Sequence, residues 1–326
     1  MSHSNISIFI PHNGCSMRCS FCNQVYITGH QKEPDENDII NAVEIAKKSK
    51  NYDKNNTQLA FFGGSFTAIK RDLMLKYLEI GYKFVKQGVV ESIRISTRPD
   101  AINQEILDIL KKFKVKSIEL GAQSMADDVL VANNRGHSAK DVELASKLIK
   151  QNGFELGLQM MTGLYKSNFE KDFYTAQKIA DLKPDTVRIY PTVVLKNTEL
   201  EKLYNNGEYE PLSVEKACFE GAKILKHFYE KGIKVIRFGL HSIEKESFVA
   251  GAFHPALSEM AQSYIYRDLI EKKVKIKGFY KILVNKNEIS KVIGNKKSNL
   301  DYFKEKGIIL EIVSDENISK FDIKII

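Results

Sequence analysis

Three cysteines, Cys15, Cys19 and Cys22, fall within eight residues in the spacing C-x3-C-x2-C, just after the apolar run Ile6–Ile10. Three thiolates on one short loop can converge on one metal centre, yet they leave a four-ligand centre one ligand short. In a [4Fe–4S] cluster that gap leaves one iron open to a small molecule. A zinc site would instead need a fourth ligand, and His12 and His30 stand near enough in sequence to be considered. The fourth cysteine, Cys218, lies 196 positions after Cys22 in a helix-like stretch and reads as a small buried residue. The set is neither even nor dispersed, so it is no disulfide framework.

The elements that must position this loop alternate regularly. Strand-like runs at 6–10, 58–62, 92–96, 116–121, 154–161, 186–190 and 234–238 are separated by helix-like stretches near 36–49, 70–87, 103–113, 139–152, 169–182 and 213–231. Repeated β–α units build a parallel sheet, here a partial or complete (β/α) barrel. In such barrels chemistry collects where strands end. The unusual residues of this sequence sit at those points: the cysteine loop, Gly63-Gly64, Arg98-Pro99-Asp100, Gln123 and Arg135. After residue 255 the pattern changes to a helix (256–273), a strand (274–284), a helix (287–306) and strands at 308–313 and 320–326. The expectation is a partial (β/α) TIM-type barrel over 1–255 with a small α+β domain over 256–326.

Composition narrows the setting. The 326 residues are 43% hydrophobic and 28% charged, which suits a globular chain and excludes a disordered or collagen-like one. No apolar run is long enough to span a bilayer, and Met1–Asn5 carries no signal-peptide features, so a cytoplasmic protein without a membrane partner is expected. The net charge of +8 is local: residues 272–297 hold nine lysines and one acid, Glu288. Subtracting these from the 49 basic and 41 acidic residues leaves 40 of each. A basic stretch in one region is the footprint of a phosphate-binding surface. A general lysine bias, with only eight arginines among the basic residues, is the competing explanation.

The cysteine loop after the first strand of a (β/α) barrel resembles the radical SAM superfamily. That resemblance implies a [4Fe–4S] cluster on Cys15, Cys19 and Cys22, with S-adenosylmethionine on the open iron and cleaved to a 5′-deoxyadenosyl radical. It also implies cofactor contacts from Phe21 in the loop and Gly63 and Gly64 after the second strand. Ser96 at the third strand stands where relatives often carry Glu. Gln123 and Arg135 would meet the ribose and the cofactor carboxylate, and Gln159 and Met161 on the fifth strand would flank ribose and adenine. Arg188 and Tyr190, at the end of the sixth strand, are candidate substrate contacts.

The narrower resemblance is to the radical SAM domain of the Elongator catalytic subunit. It rests on Thr97–Asp100, Gly121–Ser124, Asn134–His137, Met160-Met161 and Arg188–Thr192, and runs from about 6 to 239. It implies RNA, in particular tRNA, as partner and an electron donor such as flavodoxin or ferredoxin. The roughly 70 residues after 255 are too few for an acetyltransferase fold. The expectation is therefore a different product, a different co-substrate or a separate acyl-transferring partner. A more distant likeness is to oxygen-independent coproporphyrinogen oxidase and haem carriers, which keeps a porphyrin-type substrate open; a third reading is a non-catalytic scaffold that binds RNA through its tail and keeps the cluster for stability.

In the tail, Glu288–Leu300 looks like the turn of a KH domain, with Gly294-Asn295-Lys296-Lys297 as a GxxG loop whose second glycine is replaced by Lys297. Lys291, Lys296 and Lys297 are the candidate RNA contacts. The alternative is an amphipathic helix with lysines on its wet face.

Overall fold

Buried apolar runs and amphipathic stretches resolve into seven parallel strands with helices between them. The computed structural model describes residues 4–10, 19–23, 33–240 and 243–326. Cys15, His12 and His30 lie outside the described residues. The strands β1 (Ser4–Ile10), β2 (Thr57–Gly63), β3 (Ser92–Thr97), β4 (Val115–Gln123), β5 (Glu155–Thr162), β6 (Thr186–Pro191) and β8 (Lys234–Phe238) lie side by side in that order. Each is parallel to the next. The crossovers are α1 (Glu36–Lys47), α2 (Arg71–Lys86), α3 (Gln104–Lys112), α5 (Ala139–Gln151), α6 (Phe169–Asp181) and α8 (Val214–Glu230). This is the expected partial (β/α) barrel with a small C-terminal α+β unit.

The alternation along each strand explains how the sheet serves two environments. In β4, Ile118, Leu120 and Ala122 join the apolar layer under the helices, while Ser117, Glu119, Gly121 and Gln123 point the other way. At the floor of the interior, Gln58 Nε2 donates to Ser92 Oγ (3.0 Å) and to Ser117 Oγ (3.1 Å). Ser117 Oγ in turn donates to Glu155. Helix starts are fixed by side-chain caps, with capping boxes at Asp35 for α1 and Ser138 for α5. Helix α8 lies so close to β8 that a Cβ on Gly221 would sit 2.2 Å from the Phe238 ring.

Sequence periodicity misses the shortest elements. Helices α4 (Asp127–Ala132) and α7 (Glu199–Asn205) follow β4 and β6, and β7 (Val193–Leu195) pairs antiparallel with β9 (Phe248–Gly251). Strands of three and four residues are too short to display a period of two.

Helix α9 (Leu257–Lys273) joins two cores. Leu257, Ala261 and Ile265 pack into the barrel layer. Tyr266 and Ile270 pack with Val274, Ile282, Val284, Val292 and Phe303 into a second cluster. Over that cluster lie β10 (Gly278–Val284), α10 (Ile289–Ile293), α11 (Ser298–Glu305), β11 (Ile308–Ser314) and β12 (Lys324–Ile325). β10 is central, parallel to β11 and antiparallel to β12. The single helix expected over 287–306 is therefore two. Gly294 ends the first at φ +83°, and a Cβ there would meet Ser298 Oγ at 2.5 Å and Asn299 N at 2.8 Å. The buried Asn299 amide braces the turn by donating to Ser263 O (2.9 Å) and Val292 O (3.1 Å).

Candidate active site

Cys19 and Cys22 lie half-buried beyond the C-terminal end of β1 on a loop held by residues far away in sequence. Ser20 N donates to Asn133 O at 3.1 Å, and Ser20 Oγ to Asn133 Oδ1 at 2.8 Å. Leu200 N donates to Ser20 O at 2.8 Å. Asn133 is itself fully buried and donates to Tyr165 O (2.9 Å). Phe21 wedges between two apolar groups, Val129, Met161, Leu164 and Tyr190 on one side and Val194, Leu200 and Tyr209 on the other. Ser20 and Asn133 are site supports that sequence reasoning missed. Their pairing spans 113 positions and leaves no local signal.

Arg135 reaches from the segment after α4 across the strand ends to this loop. Its Nη1 lies 3.2 Å from Cys19 Sγ and its Nη2 donates to Gly121 O at 2.7 Å. Its Nε is buried with no partner among the described residues. Gly121 makes this approach possible, because a Cβ there would stand 2.9 Å from Gln123 Nε2 and 3.2 Å from Arg135 Nη2. Gln123 ends β4 at φ +65°, where the register shifts against β5. That conformation is uncommon for a residue with a side chain. It turns the Gln123 amide onto Gln159, with Nε2 donating to Gln159 Oε1 (3.0 Å) and Gln159 Nε2 donating back to Oε1 (2.7 Å). Behind them His137 is buried with Nε2 3.1 Å from Ala122 O. Burial, with the nearby Arg135 charge, pushes its imidazole down to about 4, so it is neutral at ordinary pH.

Deeper in the barrel a carboxylate sits between two guanidiniums. Glu119 Oε2 accepts from Arg94 Nη2 (2.7 Å) and Arg188 Nε (2.8 Å). Burial opposes its charge, but Arg188 and Arg94 outweigh that and hold its carboxyl below the usual carboxylate range. Ser96 Oγ is 3.4 Å from the other oxygen, Oε1, so Ser96 leads into this network. Arg188 also donates to Tyr190 Oη at 3.4 Å, with its guanidinium carbon 5.4 Å from the centre of the Phe62 ring. Sequence reasoning picked out Arg188, Tyr190 and Ser96 but passed over Arg94 and Glu119. The available signal was charged residues at alternate positions inside apolar strands.

Gly63 and Gly64 close the β2 end against β1. Gly63 has φ +114°, and a Cβ would sit 2.5 Å from Ile10 O; Gly64 N donates to that same carbonyl at 2.9 Å. Ile10 is the last described residue before the cysteine loop, so this glycine pair helps set where the loop departs.

A family model described as the radical SAM superfamily matches residues 9–176, just over half of the chain. The chain belongs to the radical SAM superfamily. A second, the Radical_SAM C-terminal domain, matches 184–267. Among curated proteins, tRNA uridine(34) acetyltransferase of Methanocaldococcus jannaschii is 30% identical over 182 residues, 55% of this chain and 33% of that protein. Elongator complex protein 3 of Saccharomyces cerevisiae is 32% identical over 136 residues, 41% of this chain and 24% of that one. The match thus spans a third or less of these relatives' own length. The solved structure of Methanocaldococcus infernus Elp3 with an N-terminal deletion shares the fold, with TM-score 0.65 and 22% identity over 84% of this chain and 64% of that one. Escherichia coli coproporphyrinogen III oxidase shares it at TM-score 0.50 and 16% identity, over 71% of this chain and 54% of that one.

Radical SAM enzymes use a [4Fe–4S] cluster and S-adenosylmethionine, and the described residues fit both groups. Two thiols of the motif share a loop with a guanidinium beside one of them, a donor set suited to an anionic thiolate-bound centre. The buried Arg135 Nε leaves one donor without a partner among the described residues, and Gly121 lets that side chain lie against the strand end. The structure brings Phe21, Met161 and Tyr190 into one cluster, and links Gln123 to Gln159 and Arg135 to Cys19. Cys15 lies outside the described residues. Lys291, Lys296 and Lys297 belong to the C-terminal unit, where Lys291 is ion-paired with Glu288 and Lys296 and Lys297 are exposed. Among the described residues no helix is long and apolar enough to cross a membrane.

Proposed function

We propose that this chain is a radical SAM enzyme that modifies RNA, with tRNA as the substrate class. When bound, the cluster and S-adenosylmethionine supply a one-electron reductant and a cleavable sulfonium. Cys15, Cys19 and Cys22 would hold the cluster. Arg135 would offer its guanidinium to the cofactor carboxylate, a match of planar donors to two oxygens. Gly63, Gly64 and Ser96 would line the methionyl side. Gln123, Gln159, Phe21 and Met161 would meet the ribose and adenine, the two amides holding each other in place. Arg188 and Tyr190, stiffened by Glu119, would face the substrate at the barrel mouth. A small electron carrier such as flavodoxin or ferredoxin would reduce the cluster.

The observation that carries the RNA reading is the turn 294–297. It joins α10 to α11 inside a β–α–α–β arrangement, the arrangement in which a GxxG loop clamps nucleic-acid backbone. Lys297, which stands in place of the second glycine, adopts φ +66°, so the turn keeps a glycine-like backbone while adding a charge. The relatives named for tRNA modification support the same reading.

Mass spectrometry of RNA nucleosides from a deletion strain tests the proposal. One modified nucleoside should vanish and return with the intact gene but not with Cys19→Ala. An unchanged nucleoside profile would overturn the RNA assignment.

A further inference from the structure

A cavity of about 560 Å3 opens beside the β5–α6 loop, and its lining residues Leu164 and Tyr209 pack on their other side against Phe21. Its walls come from that loop, the first turn of α6, the segment before α8 and the first two turns of α8. Five carboxylates line it, Glu170, Asp172, Glu208, Glu210 and Glu220, against two lysines, Lys166 and Lys216. The two in α6 have an internal explanation. Glu170 and Asp172 sit in a first turn, where the helix favours acids. Asp172 is also consumed by the loop, accepting from Gly163 N (2.7 Å) and Ser167 Oγ (2.5 Å). Burial pushes its carboxyl up to about 7.

Glu220 has no such explanation. It lies in the second turn of α8, is only 8% exposed, and makes no hydrogen bond or ion pair among the described residues. Burial raises its carboxyl above the usual range, and Lys216 and Lys223 oppose that only through their charge, without an ion pair among the described residues. Lys223 Nζ lies over the Phe169 and Phe219 rings, at 4.8 and 4.4 Å, and Lys216 makes no ion pair among the described residues. The Glu220 carboxylate therefore lines the cavity with no fixed partner from the described side chains.

The rest of the wall is apolar and aromatic. Tyr165 and Tyr209 meet edge to face at 6.3 Å, with Leu212 packed against Gly163. The chain's own Lys166 already rests 5.0 Å over the Tyr165 ring, so this wall accepts a cation. At the rim, Glu208 and Glu210 are exposed. A carboxylate at depth, aromatic sides and a second acidic point at the mouth suit an ammonium or guanidinium head on an aliphatic stem. A metal ion is a poorer fit, since no group of three ligating side chains converges among the described residues.

We propose that this cavity binds an organic cation, its head on Glu220 and its stem along Tyr165, Tyr209 and Leu212. Two sources share that chemistry, a free polyamine and a lysine or arginine side chain of a protein.

Calorimetric titration of the RNA-free, cluster-loaded chain at fixed ionic strength tests the site with three probes: spermidine, N-acetyl-lysine amide and N-acetyl-arginine amide. Saturable one-to-one binding of at least one probe is expected, weakened about tenfold or more in Glu220→Gln and less in Glu208→Gln. Spermidine binding alone assigns the polyamine; amide binding with spermidine inert assigns a protein side chain. Glu220→Gln without ligand should melt no lower than wild type, because no hydrogen bond or ion pair among the described residues is lost. Glu208→Gln, on the exposed rim, keeps the test open if the Glu220→Gln protein fails to fold. No saturable binding by any probe, binding unchanged by either substitution, or equal displacement by magnesium at the same ionic strength would overturn the proposal. The readout needs neither RNA nor turnover, so its failure is separate from that of the enzymatic reading.

Discussion

Glu119 illustrates how much a single interior residue constrains. With Arg94 and Arg188 both donating to one of its oxygens, the three side chains are stable only as a set. Glu119→Gln leaves two buried guanidiniums facing a neutral amide, and should lower unfolding free energy by about 3–5 kcal/mol. Urea denaturation of the two proteins measures this, and a loss under about 1 kcal/mol would show that the network is not structural. Arg188 was legible as unusual because it interrupts an apolar strand just before Tyr190. Glu119 was not, because its meaning depends on partners brought in from β3 and β6, a tertiary fact that no local window contains.

The strands and crossover helices were legible because parallel strands covered by helices read as near-continuous apolar runs. What the runs hid was the polar interior of the same strands, visible only once alternate positions such as Ser117, Glu119 and Gln123 are seen to share one side. Short elements such as β7 and β9 carry too few residues to announce themselves. At 294–297 the GxxG-like residues marked a turn while periodicity read one helix over 287–306, because apolar residues on both sides keep helical spacing across a glycine whose φ only the structure reveals. The junction of β1 and β2 yields a prediction at this scale. Gly63→Ala places a Cβ 2.5 Å from Ile10 O at φ +114°. The strain should cost about 1–3 kcal/mol and displace the start of the cysteine loop. Thermal melts together with equilibrium dialysis of S-adenosylmethionine on the reconstituted protein would show both losses. A Gly63→Ala protein equal to wild type in stability and affinity would contradict the role given to this turn.

Across the whole molecule, the excess charge is smaller in space than in sequence. Five of the nine lysines in 272–297 are paired with acids, Lys272 with Asp268, Lys273 with Asp322, Lys281 with Glu311, Lys286 with Glu316 and Lys291 with Glu288. Most of those acids lie outside the stretch, so counting along the chain overstated the field. Lys296 and Lys297 remain exposed in the turn and have no ion pair among the described residues. Glutamate at both positions should weaken tRNA binding and flatten the plot of log affinity against log salt by about 1.5 in slope. Lys272→Glu and Lys286→Glu, which remove paired lysines, should change the slope less. Fluorescence anisotropy across a salt series distinguishes these outcomes, and an equal effect of all four substitutions would assign the binding to diffuse charge.

The central claim is that the cysteine loop, Arg135 and the Gln123–Gln159 pair form one cofactor site serving an RNA substrate. Its most direct test is 5′-deoxyadenosine formation by the anaerobically reconstituted chain, given a strong reductant and S-adenosylmethionine, with and without tRNA from a strain lacking the gene. The account predicts formation that tRNA stimulates and that Cys19→Ala abolishes. A cluster-loaded protein that releases no 5′-deoxyadenosine under either condition would contradict it.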